Sequence, residues 1–454
     1  MAFLIASGSF LFGSIIQSVS TTFPILLFGR MYIGLGVGTG LAVNPLYIAE
    51  VTPAAHRGQM VTWIEIAMNI GLVLGFATGV ILANSNDDSE WRIMFAMGGI
   101  LPVVMIFLIA LNIMPESPRW LILHHRLQDA RLILQQIYES DDEDSIVDTI
   151  GPPVADPTTE SGRNIPEVRQ QKTTSTTKID SIMKEIQTSL DTEREARRHY
   201  VGSWGGLLFR PTPAVKHMLL VGLGTAIGQQ LVGMEAIQYY FVDVIIQLGI
   251  EKEALESLIL VGLGVLKLVI VIVSARRVDN HGRRPLVLLS LIGMSLSLIV
   301  VSGTFWVSNG PSGAAIVGLA LYLVFYSIGM GPVGWIIPSE VFTTCIRARA
   351  MSLAMFSNRL TATIMSSTFL SLANILGWSG FFFFLSVLCL IVCGVSLRYL
   401  PETKDRSIEE MSKYFARLTN DESVIEVEER MKQRLEQQQK RTSSPGNSRK
   451  SMFV

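Results

Sequence analysis

The sequence contains few charged residues for its length. Of its 454 residues, 17% are Asp, Glu, Lys or Arg and 49% are hydrophobic, and the mean hydropathy is +0.41. Soluble proteins average about 25% charged residues. Here the shortage falls in long uncharged runs separated by short charged loops, a pattern that excludes an ordinary soluble domain and is typical of a chain that crosses a membrane several times. The net charge of −1 hides this segregation and says nothing about partners; we expect no nucleic-acid partner.

Cysteines, targeting signals and catalytic motifs are also scarce. Cys345, Cys389 and Cys393 are scattered in or beside apolar segments, which suits neither a disulfide framework nor a metal site. The N-terminus has no basic n-region and no small-residue cleavage site, so we expect no signal peptide. Because the sequence contains no nucleophile–base set, metal-ligand cluster or phosphate-binding loop, we expect neither enzyme activity nor a bound cofactor or metal.

Long apolar runs predict the membrane segments. A helix needs about 20 apolar residues to span a bilayer, and about ten segments meet this requirement. They are 1–20, 23–49, 59–83, 91–114, 214–248, 254–277, 285–308, 313–338, 348–375 and 378–400. The predicted fold class is therefore all-α, a polytopic membrane protein with four spans before a long polar loop and six after it. Gly and Pro interrupt several spans, which predicts close helix packing and broken helices.

The same pattern divides the chain into four regions. They are an N-terminal bundle at 1–114, a loop at 115–213, a C-terminal bundle at 214–400 and a tail at 401–454. Basic residues are concentrated in the long loop and in alternate short loops, and such an excess marks the cytoplasmic side. We therefore expect the loop, the tail and both termini to lie in the cytoplasm, the loop with short helices around a disordered stretch.

Short motifs follow one another in a fixed order. FGRMYIGLGVG, AEVTPAAHRG and PESPRWL precede the loop, and QQLVGMEAIQYY, DNHGRRP, GPVGWIIPSEVF, IRARA, FSN and LPETKDRS follow it. Each motif is weak alone, but in this order the chain resembles the sugar porter family of the major facilitator superfamily over nearly all of 1–410. The resemblance implies a plasma-membrane carrier of a hexose-like monosaccharide or a polyol, working by alternating access and proton-coupled in part of the family.

Two other functions fit the same motifs. A non-transporting sugar sensor would bind its ligand and signal through the long loop or the tail, and an inactive truncated fragment would do neither. Counted outward from PESPRWL, the first span resembles the family's third, so we expect the first two helices to be missing, in a fragment or in a reduced protein. In proton-coupled members, the residue that matches Arg30 approaches an Asp on the first helix.

The resemblance also implies a substrate site. The residues that match the family's sugar-contact pattern, or replace one of its members, are Glu65, Gln229, Gln230, Glu235, Tyr240, Lys267, Trp335, Asn358 and Arg359. Amides and carboxylates hydrogen-bond hydroxyl groups, and an aromatic face covers the apolar face of a sugar ring. The alternative is that these polar side chains hold neighbouring helices together.

Four of these residues are ionisable although they lie in predicted spans: Glu65, Glu235, Lys267 and Arg359. Charged side chains are costly inside a membrane and mark functional sites. Three interpretations remain open. The acids and bases neutralise each other, one glutamate titrates and couples transport to protons, or the substrate is itself charged, such as a sugar acid.

A second set of charges lies at the predicted cytoplasmic ends of the helices. Glu50 and Arg57 have the same spacing as Glu340 and Arg347, which indicates a faint repeat of two related halves. Such pairs can hold the cytoplasmic side closed, although bases there also satisfy the positive-inside rule. The predicted coupling and gating residues are Arg30, Glu50, Arg57, Glu116, Arg119, Asp279, Arg283, Glu340, Arg347 and Glu402.

Overall fold

The chain folds into helices. The structure, a computed structural model, describes residues 1–52, 57–82, 90–111, 113–149, 204–249, 253–275, 282–307, 312–343 and 346–404, with scattered residues in 179–190 and 406–433. Every regular element in these ranges is a helix, which confirms the predicted all-α class. The helices are α1 (Ala2–Val19), α2 (Phe23–Val51), α3 (Arg57–Leu82), α4 (Glu90–Met97), α5 (Ile100–Ala110), α6 (Pro118–Leu123), α7 (Leu127–Thr149), α8 (Trp204–Leu208), α9 (Pro213–Leu231), α10 (Met234–Tyr239), α11 (Phe241–Gln247), α12 (Glu253–Ala275), α13 (Arg283–Trp306), α14 (Ser312–Ile328), α15 (Met330–Val341), α16 (Arg347–Tyr399) and α17 (Ile408–Thr419).

Seven helical segments in the described ranges are long and apolar enough to cross a membrane. They are Ala2–Val19, Phe23–Ile48, Trp63–Leu82, Glu90–Ala110, Arg283–Trp306, Ser312–Val341 and Arg347–Tyr399. The last segment bends at Gly377 (φ 73°, ψ 157°) and covers the predicted spans 348–375 and 378–400. Leu258–Ser274 is a shorter apolar helix, and the predicted span 214–248 is divided among α9, α10 and α11. The number of about ten spans stays a prediction.

The chain divides into two compact units. Unit 1 comprises Met1–Ile64 and Ser85–Asp191, and unit 2 comprises Glu65–Asn84 and Thr192–Val454. Unit 1 therefore combines most of the predicted N-terminal bundle with part of the predicted loop, and the greater part of α3 belongs to unit 2. The predicted division into four regions stays a prediction.

In unit 1, α1 and α2 pack through small residues. A Cβ atom at Gly13 would lie 2.7 Å from the carbonyl oxygen of Gly29, and one at Gly36 would lie 2.7 Å from that of Ala6. Real Cβ atoms do not approach a carbonyl oxygen so closely, so glycine is needed at both contacts. Small residues allow membrane helices to approach each other to backbone contact, as the glycines of GRMYIGLGVG predict.

Unit 2 has a large buried core built from α9, α13, α14, α15 and α16. Several of its polar groups bond to each other or to the backbone. The hydroxyl of Tyr322 donates to the carbonyl oxygen of Val232 at 2.9 Å, and the hydroxyls of Ser295 and Ser386 lie 2.9 Å apart. Such pairing is required where neither water nor a polar solvent can satisfy a buried group.

Two helix breaks shape the centre of unit 2. Gly233, in the left-handed region at φ 85°, separates α9 from α10, and Gly329 separates α14 from α15. A Cβ atom at Gly329 would clash with the carbonyl oxygen of Leu286 and lie 2.7 Å from the Cβ of Ser290 on α13. The break at Gly329 falls in GMGPVGWIIP, a segment whose Gly and Pro residues predict an interrupted helix, and both breaks lie next to the polar residues described below.

Replacing Gly329 by Ala is expected to lower the free energy of unfolding by about 2 kcal/mol, because the added methyl group overpacks the contact with α13. Thermal unfolding in detergent micelles measures this change. Gly303→Ala is the matched control: it lies on α13, and a Cβ atom there meets nothing within 4 Å. Equal melting temperatures for the two variants would contradict the overpacking argument.

Candidate functional site

A polar network lies at the break between α9 and α10 in unit 2. Gln229 and Gln230 occupy the last turn of α9, and Asn358 lies on α16. Their exposed fractions are 2%, 2% and 0%. After the break, Glu235 in the first turn of α10 returns to the same network, where its Oε1 accepts a hydrogen bond from Gln230 Nε2 at 3.1 Å. The polar middle of QQLVGMEAIQYY is thus brought together by the turn that interrupts its helix.

Gln229 uses both of its N–H donors at the second helix break. Its Nε2 donates to the carbonyl oxygens of Met330 at 3.2 Å and Gly331 at 2.8 Å, immediately after Gly329. Its Oε1 accepts a hydrogen bond from Asn358 Nδ2 at 2.9 Å. Gln229 therefore holds α9, α15 and α16 together.

The protein uses every hydrogen-bonding group of the Asn358 side chain. Besides Gln229, its Nδ2 donates to the carbonyl oxygen of Ala226 at 2.8 Å. Its Oδ1 accepts from Gln230 Nε2 at 3.2 Å and from Arg359, whose Nη2 lies 2.7 Å away. An amide has two donors and one oxygen with two lone pairs, and Asn358 uses all of them. In this conformation it has no capacity left for a substrate.

Glu235 and Arg359 form a two-point ion pair beside these amides. Arg359 Nη2 lies 2.7 Å from Glu235 Oε1, and Nη1 lies 3.3 Å from Oε2. The side chains remain 24% and 35% exposed, and the Arg359 guanidinium lies 5.9 Å from the centre of the Trp335 ring. This geometry favours mutual neutralisation for this acid and this base, and it leaves both side chains partly accessible.

The two tyrosines that follow differ in position. Tyr240 stacks on Phe369 of α16, with ring centres 4.7 Å apart and planes 11° from parallel. Tyr239 is 70% exposed. Tyr240 therefore belongs to the helix packing around the network, whereas most of the Tyr239 side chain is exposed.

Lys267 lies on α12 and is 8% exposed. Its Nζ donates to Gln238 Oε1 at 3.2 Å and lies 5.9 Å from the centre of the Tyr326 ring. Its charge interacts with the carboxylates of Glu65 and Glu235. The four predicted intramembrane charges therefore belong to one electrostatic system, although Lys267 contacts neither acid within 4 Å in the described part of the chain.

Glu65 is half-buried on α3 and is held by its own helix. Asn69, one turn later, donates from Nδ2 to the backbone oxygen of Glu65 at 2.8 Å and to Oε1 at 3.3 Å. Asn69 is 2% exposed, and its Oδ1 is buried without a hydrogen-bond partner in the described structure. A buried oxygen of this kind calls for a ligand or a water molecule.

In unit 1, the predicted gate residue Glu50 is held by the PESPR motif. Ser117 Oγ donates to Glu50 Oε2 at 2.5 Å, and Arg119 Nε lies 4.0 Å from Glu50 Oε1. Glu116 is exposed beside them. The side chain of Arg57, the predicted partner of Glu50, lies outside the described residues. The structure thus joins the end of α2 to the start of α6.

In unit 2, the corresponding Glu340 is paired with a residue from another predicted cluster. Arg283 Nη2 lies 3.1 Å from Glu340 Oε1, which joins α13 to α15. Arg347 is exposed at the start of α16. Asp279, predicted to belong with Arg283, lies outside the described residues.

Glu402 caps α13 from a distant part of the chain. Its Oε1 accepts from the backbone N–H groups of Arg283 at 2.9 Å and of Thr403 and Lys404 at 3.0 Å, and its Oε2 accepts from that of Arg284 at 3.2 Å. Burial raises the pKa of this carboxyl, but the four N–H donors outweigh burial and hold the pKa below its ordinary value. The carboxylate therefore ties the end of α16 to the start of α13.

Arg30 is exposed on α2, and its guanidinium lies 5.7 Å from the centre of the Phe95 ring. No acidic group within the described ranges forms an ion pair with it. The predicted coupling role of Arg30 stays a prediction.

Sequence reasoning missed three residues that position charges. Asn69 supports Glu65, Gln238 binds Lys267, and Ser117 bonds an acid at the end of α2. The spacing of four residues between Glu65 and Asn69 was a usable signal, because residues four apart share a helix face. Gln238 was visible as a polar residue in an apolar segment, but its partner could not be read from the sequence.

Comparison with known proteins gives consistent matches over the whole described fold. The family model described as "Sugar (and other) transporter" matches residues 1–173 and 159–415. Probable polyol transporter 4 of Arabidopsis thaliana is 32% identical over 414 residues, which is 89% of this chain and 70% of that protein. Putative polyol transporter 1 of the same plant is 32% identical over 430 residues, 92% and 78% of the two chains. Its D-xylose-proton symporter-like 3, chloroplastic, is 29% identical over 408 residues, 90% and 68%.

Solved structures match the same fold. That of the major facilitator superfamily proton:xylose symporter XylE bound to 6-bromo-6-deoxy-D-glucose has a TM-score of 0.68 and 24% identity, covering 91% of this chain and 82% of that one. The inward open conformation of XylE from E. coli gives 0.67 and 24%, with the same coverage. At this identity the likeness establishes the major facilitator superfamily fold, which confirms the predicted polytopic architecture.

The Glu402 cap is expected to stabilise the protein only while its carboxyl group is ionised. Glu402→Gln should lower the free energy of unfolding by about 1 kcal/mol at pH 7, since the charge at the N-terminus of α13 is lost. Because the pKa is lowered by folding, this difference is complete above the unfolded value of about 4.3 and is lost as the pH falls through the lower folded value.

Thermal unfolding of both proteins between pH 3 and 7 measures this dependence. Glu116→Gln, in the corresponding motif of the other half, is the control, because that carboxyl is exposed. A difference between wild type and Glu402→Gln that grows as the pH falls would contradict the assigned role.

Proposed function

Because the chain belongs to the sugar (and other) transporter family, we propose that it carries a polyol or a monosaccharide across a membrane by alternating access. The observation that carries the proposal is the Glu235–Arg359 ion pair beside Trp335, set within apolar helices and still partly accessible. Charged groups that can hydrogen-bond hydroxyls, next to an aromatic face, suit a polyhydroxylated ligand and would be costly in a membrane without a function. The proposal includes no catalytic chemistry.

We divide the predicted substrate residues into two roles. Gln229 and Asn358 position the network, because their hydrogen-bonding groups are used by the protein. Glu235, Arg359 and Gln230 contact the substrate, since the ion pair is accessible and the Oε1 of Gln230 makes no hydrogen bond within the described structure. Trp335 supplies the aromatic face, and Tyr240, Glu65 and Lys267 complete the site.

The cytoplasmic charges act as gates in this proposal. Glu50 with Arg119 in one half, and Glu340 with Arg283 in the other, join helix ends that alternating access must move. Ion pairs that are partly exposed contribute little net free energy. They can therefore break and re-form at low cost, which suits a reversible gate. The pairs hold the cytoplasmic side closed and separate when it opens. We assign five further residues to the same layer: Arg57, Asp279, Glu116, Arg347 and Glu402.

Proton coupling and location are separate parts of the proposal. Glu65 is the carboxylate that we assign to coupling, because it has no ion pair within 4 Å in the described ranges and hydrogen-bonds only to Asn69 there. The matched plant proteins include one named as a proton symporter and as chloroplastic. The chain is a multi-pass integral membrane protein, and we assign it to the plasma membrane.

Uptake of labelled sorbitol, myo-inositol, xylose and glucose into a transport-deficient host tests the proposal. We expect uptake of at least one compound above the empty-host background, and a drop of about tenfold or more with a protonophore if transport is proton-coupled. Binding to purified protein without uptake would identify a sensor instead. Neither binding nor uptake, at verified surface expression, would contradict the proposed carrier.

Neutralising one member of the central ion pair is expected to lower uptake by about 10- to 100-fold. Either Glu235→Gln or Arg359→Gln leaves the other charge without its partner in a partly buried position, which costs more than losing the pair together. The double variant should therefore transport no worse than either single variant. Ser367→Ala, at an exposed position on α16, is the control, and strictly additive losses would contradict the pairing.

A further inference from the structure

A cavity of about 310 Å³ lies in unit 1, between α1 and the break that separates α4 from α5. No residue of the proposed substrate site or of the proposed gates lines it. The helices around it belong to candidate membrane spans, so the medium that surrounds the cavity is lipid. Two serines of α1, Ser14 and Ser18, contribute hydroxyl groups, and the rest of the lining is mostly aliphatic, with Leu11, Ile15, Ile100, Val103 and Val104.

Ser14 is a buried polar residue without a partner. It is 2% exposed, lines the cavity, and makes no side-chain hydrogen bond within the described part of the chain. Ser18, one turn later, uses its donor within α1, in a 3.0 Å bond to the carbonyl oxygen of Ile15. Because a buried hydroxyl group costs free energy unless it is bonded, Ser14 calls for a hydrogen-bond acceptor in the cavity.

The corresponding helices of unit 2 are joined directly. By the order of the repeated motifs, α1 corresponds to α13, and α4 with α5 corresponds to the second part of α16. In unit 2 the hydroxyls of Ser295 and Ser386 lie 2.9 Å apart, and Ser302 Oγ donates to the carbonyl oxygen of Ser379 at 2.9 Å. The same junction in unit 1 instead has a cavity and an unbonded serine, so it has room for a ligand.

A cation lies at one end of the cavity. Arg92 is four residues before Ala96, which lines the cavity, and residues four apart share a helix face. Arg92 Nη2 donates to the carbonyl oxygen of Ser20 at 3.3 Å, which leaves four N–H donors of the guanidinium. The guanidinium lies 5.1 Å from the centre of the Trp91 ring, and tryptophan is typical of the membrane interface. This end of the cavity therefore meets the headgroup region and carries a positive charge.

The order of these groups matches the order of groups in a glycerophospholipid. From the membrane surface inwards, the cavity presents the Arg92 cation, then the Ser14 hydroxyl, then aliphatic side chains of α1 and α5. Ser14 precedes Ser20 by six residues, about 9 Å along α1, and the headgroup region of a bilayer is about 5–8 Å thick. Ser14 is thus placed near the depth of the ester carbonyl groups. A sterol has no anionic group that could match Arg92.

We propose that this cavity binds one glycerophospholipid of the leaflet that faces the 84–90 loop. The lipid phosphate accepts hydrogen bonds from Arg92, an ester carbonyl oxygen accepts one from Ser14, and an acyl chain fills the space between α1 and α5. The bound lipid closes a junction that the protein closes by itself in unit 2. The inference is independent of the compound carried and is tested by binding alone.

The test uses lipids that differ by a single group, titrated into the delipidated full chain in detergent. Native mass spectrometry gives the Kd of the one-to-one complex with dioleoylphosphatidylcholine, with dioleoylglycerol, which lacks the phosphate, and with the diether analogue, which lacks the ester carbonyls. Wild type should bind the phosphatidylcholine about 10-fold more tightly than dioleoylglycerol and about 5-fold more tightly than the diether. Arg92→Gln should abolish the first difference only, and Ser14→Ala the second only.

A cavity-filling variant and a matched control complete the test. Ala96→Phe places a ring in the cavity and should weaken binding of all three lipids by about 10-fold or more. Ile93→Phe adds the same ring at an exposed position of α4 outside the cavity and should bind like wild type. If Ala96→Phe does not fold, the Arg92 and Ser14 comparisons decide alone.

Three results would overturn the inference. They are equal affinity of wild type for the phosphatidylcholine and dioleoylglycerol, an ester preference that persists in Ser14→Ala, and displacement of the phosphatidylcholine by an equal concentration of cholesterol. A wild-type dimer that Ala96→Phe dissociates would also overturn it, because a second copy would then occupy the cavity. Loss of sugar or polyol uptake without a change in these lipid affinities bears on the proposed carrier and leaves the lipid site standing.

Discussion

Every polar group inside an apolar helix bundle must find a partner, because the membrane interior offers none. This constraint accounts for the centre of unit 2. Gln229 donates to the carbonyl oxygens of Met330 and Gly331, in the first turn after the break at Gly329, and the break at Gly233 brings Glu235 back beside the end of α9. The polar side chains and the interrupted helices therefore lie together at the centre of unit 2.

The same constraint separates the intramembrane charges into two kinds. Glu235 and Arg359 are joined by two short contacts, so their cost is largely offset within the protein. Lys267 and Glu65 are each held by a single amide and interact only at longer range. Of the three interpretations left open by the sequence, neutralisation describes the first pair well, whereas the members of the second pair make no ion pair with each other in the described structure.

Much of the fold could be predicted from the sequence, because uncharged runs of membrane length and the order of short motifs are local properties. The identity of the polar residues near the site was also predictable. Which of these residues position others and which remain available to a ligand was not predictable, because this depends on which hydrogen-bonding groups the protein already uses. Gln229 and Asn358 resemble substrate ligands in the sequence, yet the protein uses both donors of Gln229 and every hydrogen-bonding group of Asn358. The pairing of Glu340 with Arg283 likewise depends on how α13 and α15 meet, which no spacing reveals.

The internal hydrogen bonds of Gln229 and Asn358 restrict how such a protein can change over evolution. Substitution at either residue breaks several internal bonds at once, so selection for folding alone retains them whatever compound is carried. Glu65 and Lys267 make fewer hydrogen bonds within the protein, so we expect their substitution to affect folding less. In the proposed carrier, side chains with fewer internal bonds can therefore change while the frame formed by Gln229 and Asn358 is inherited unchanged.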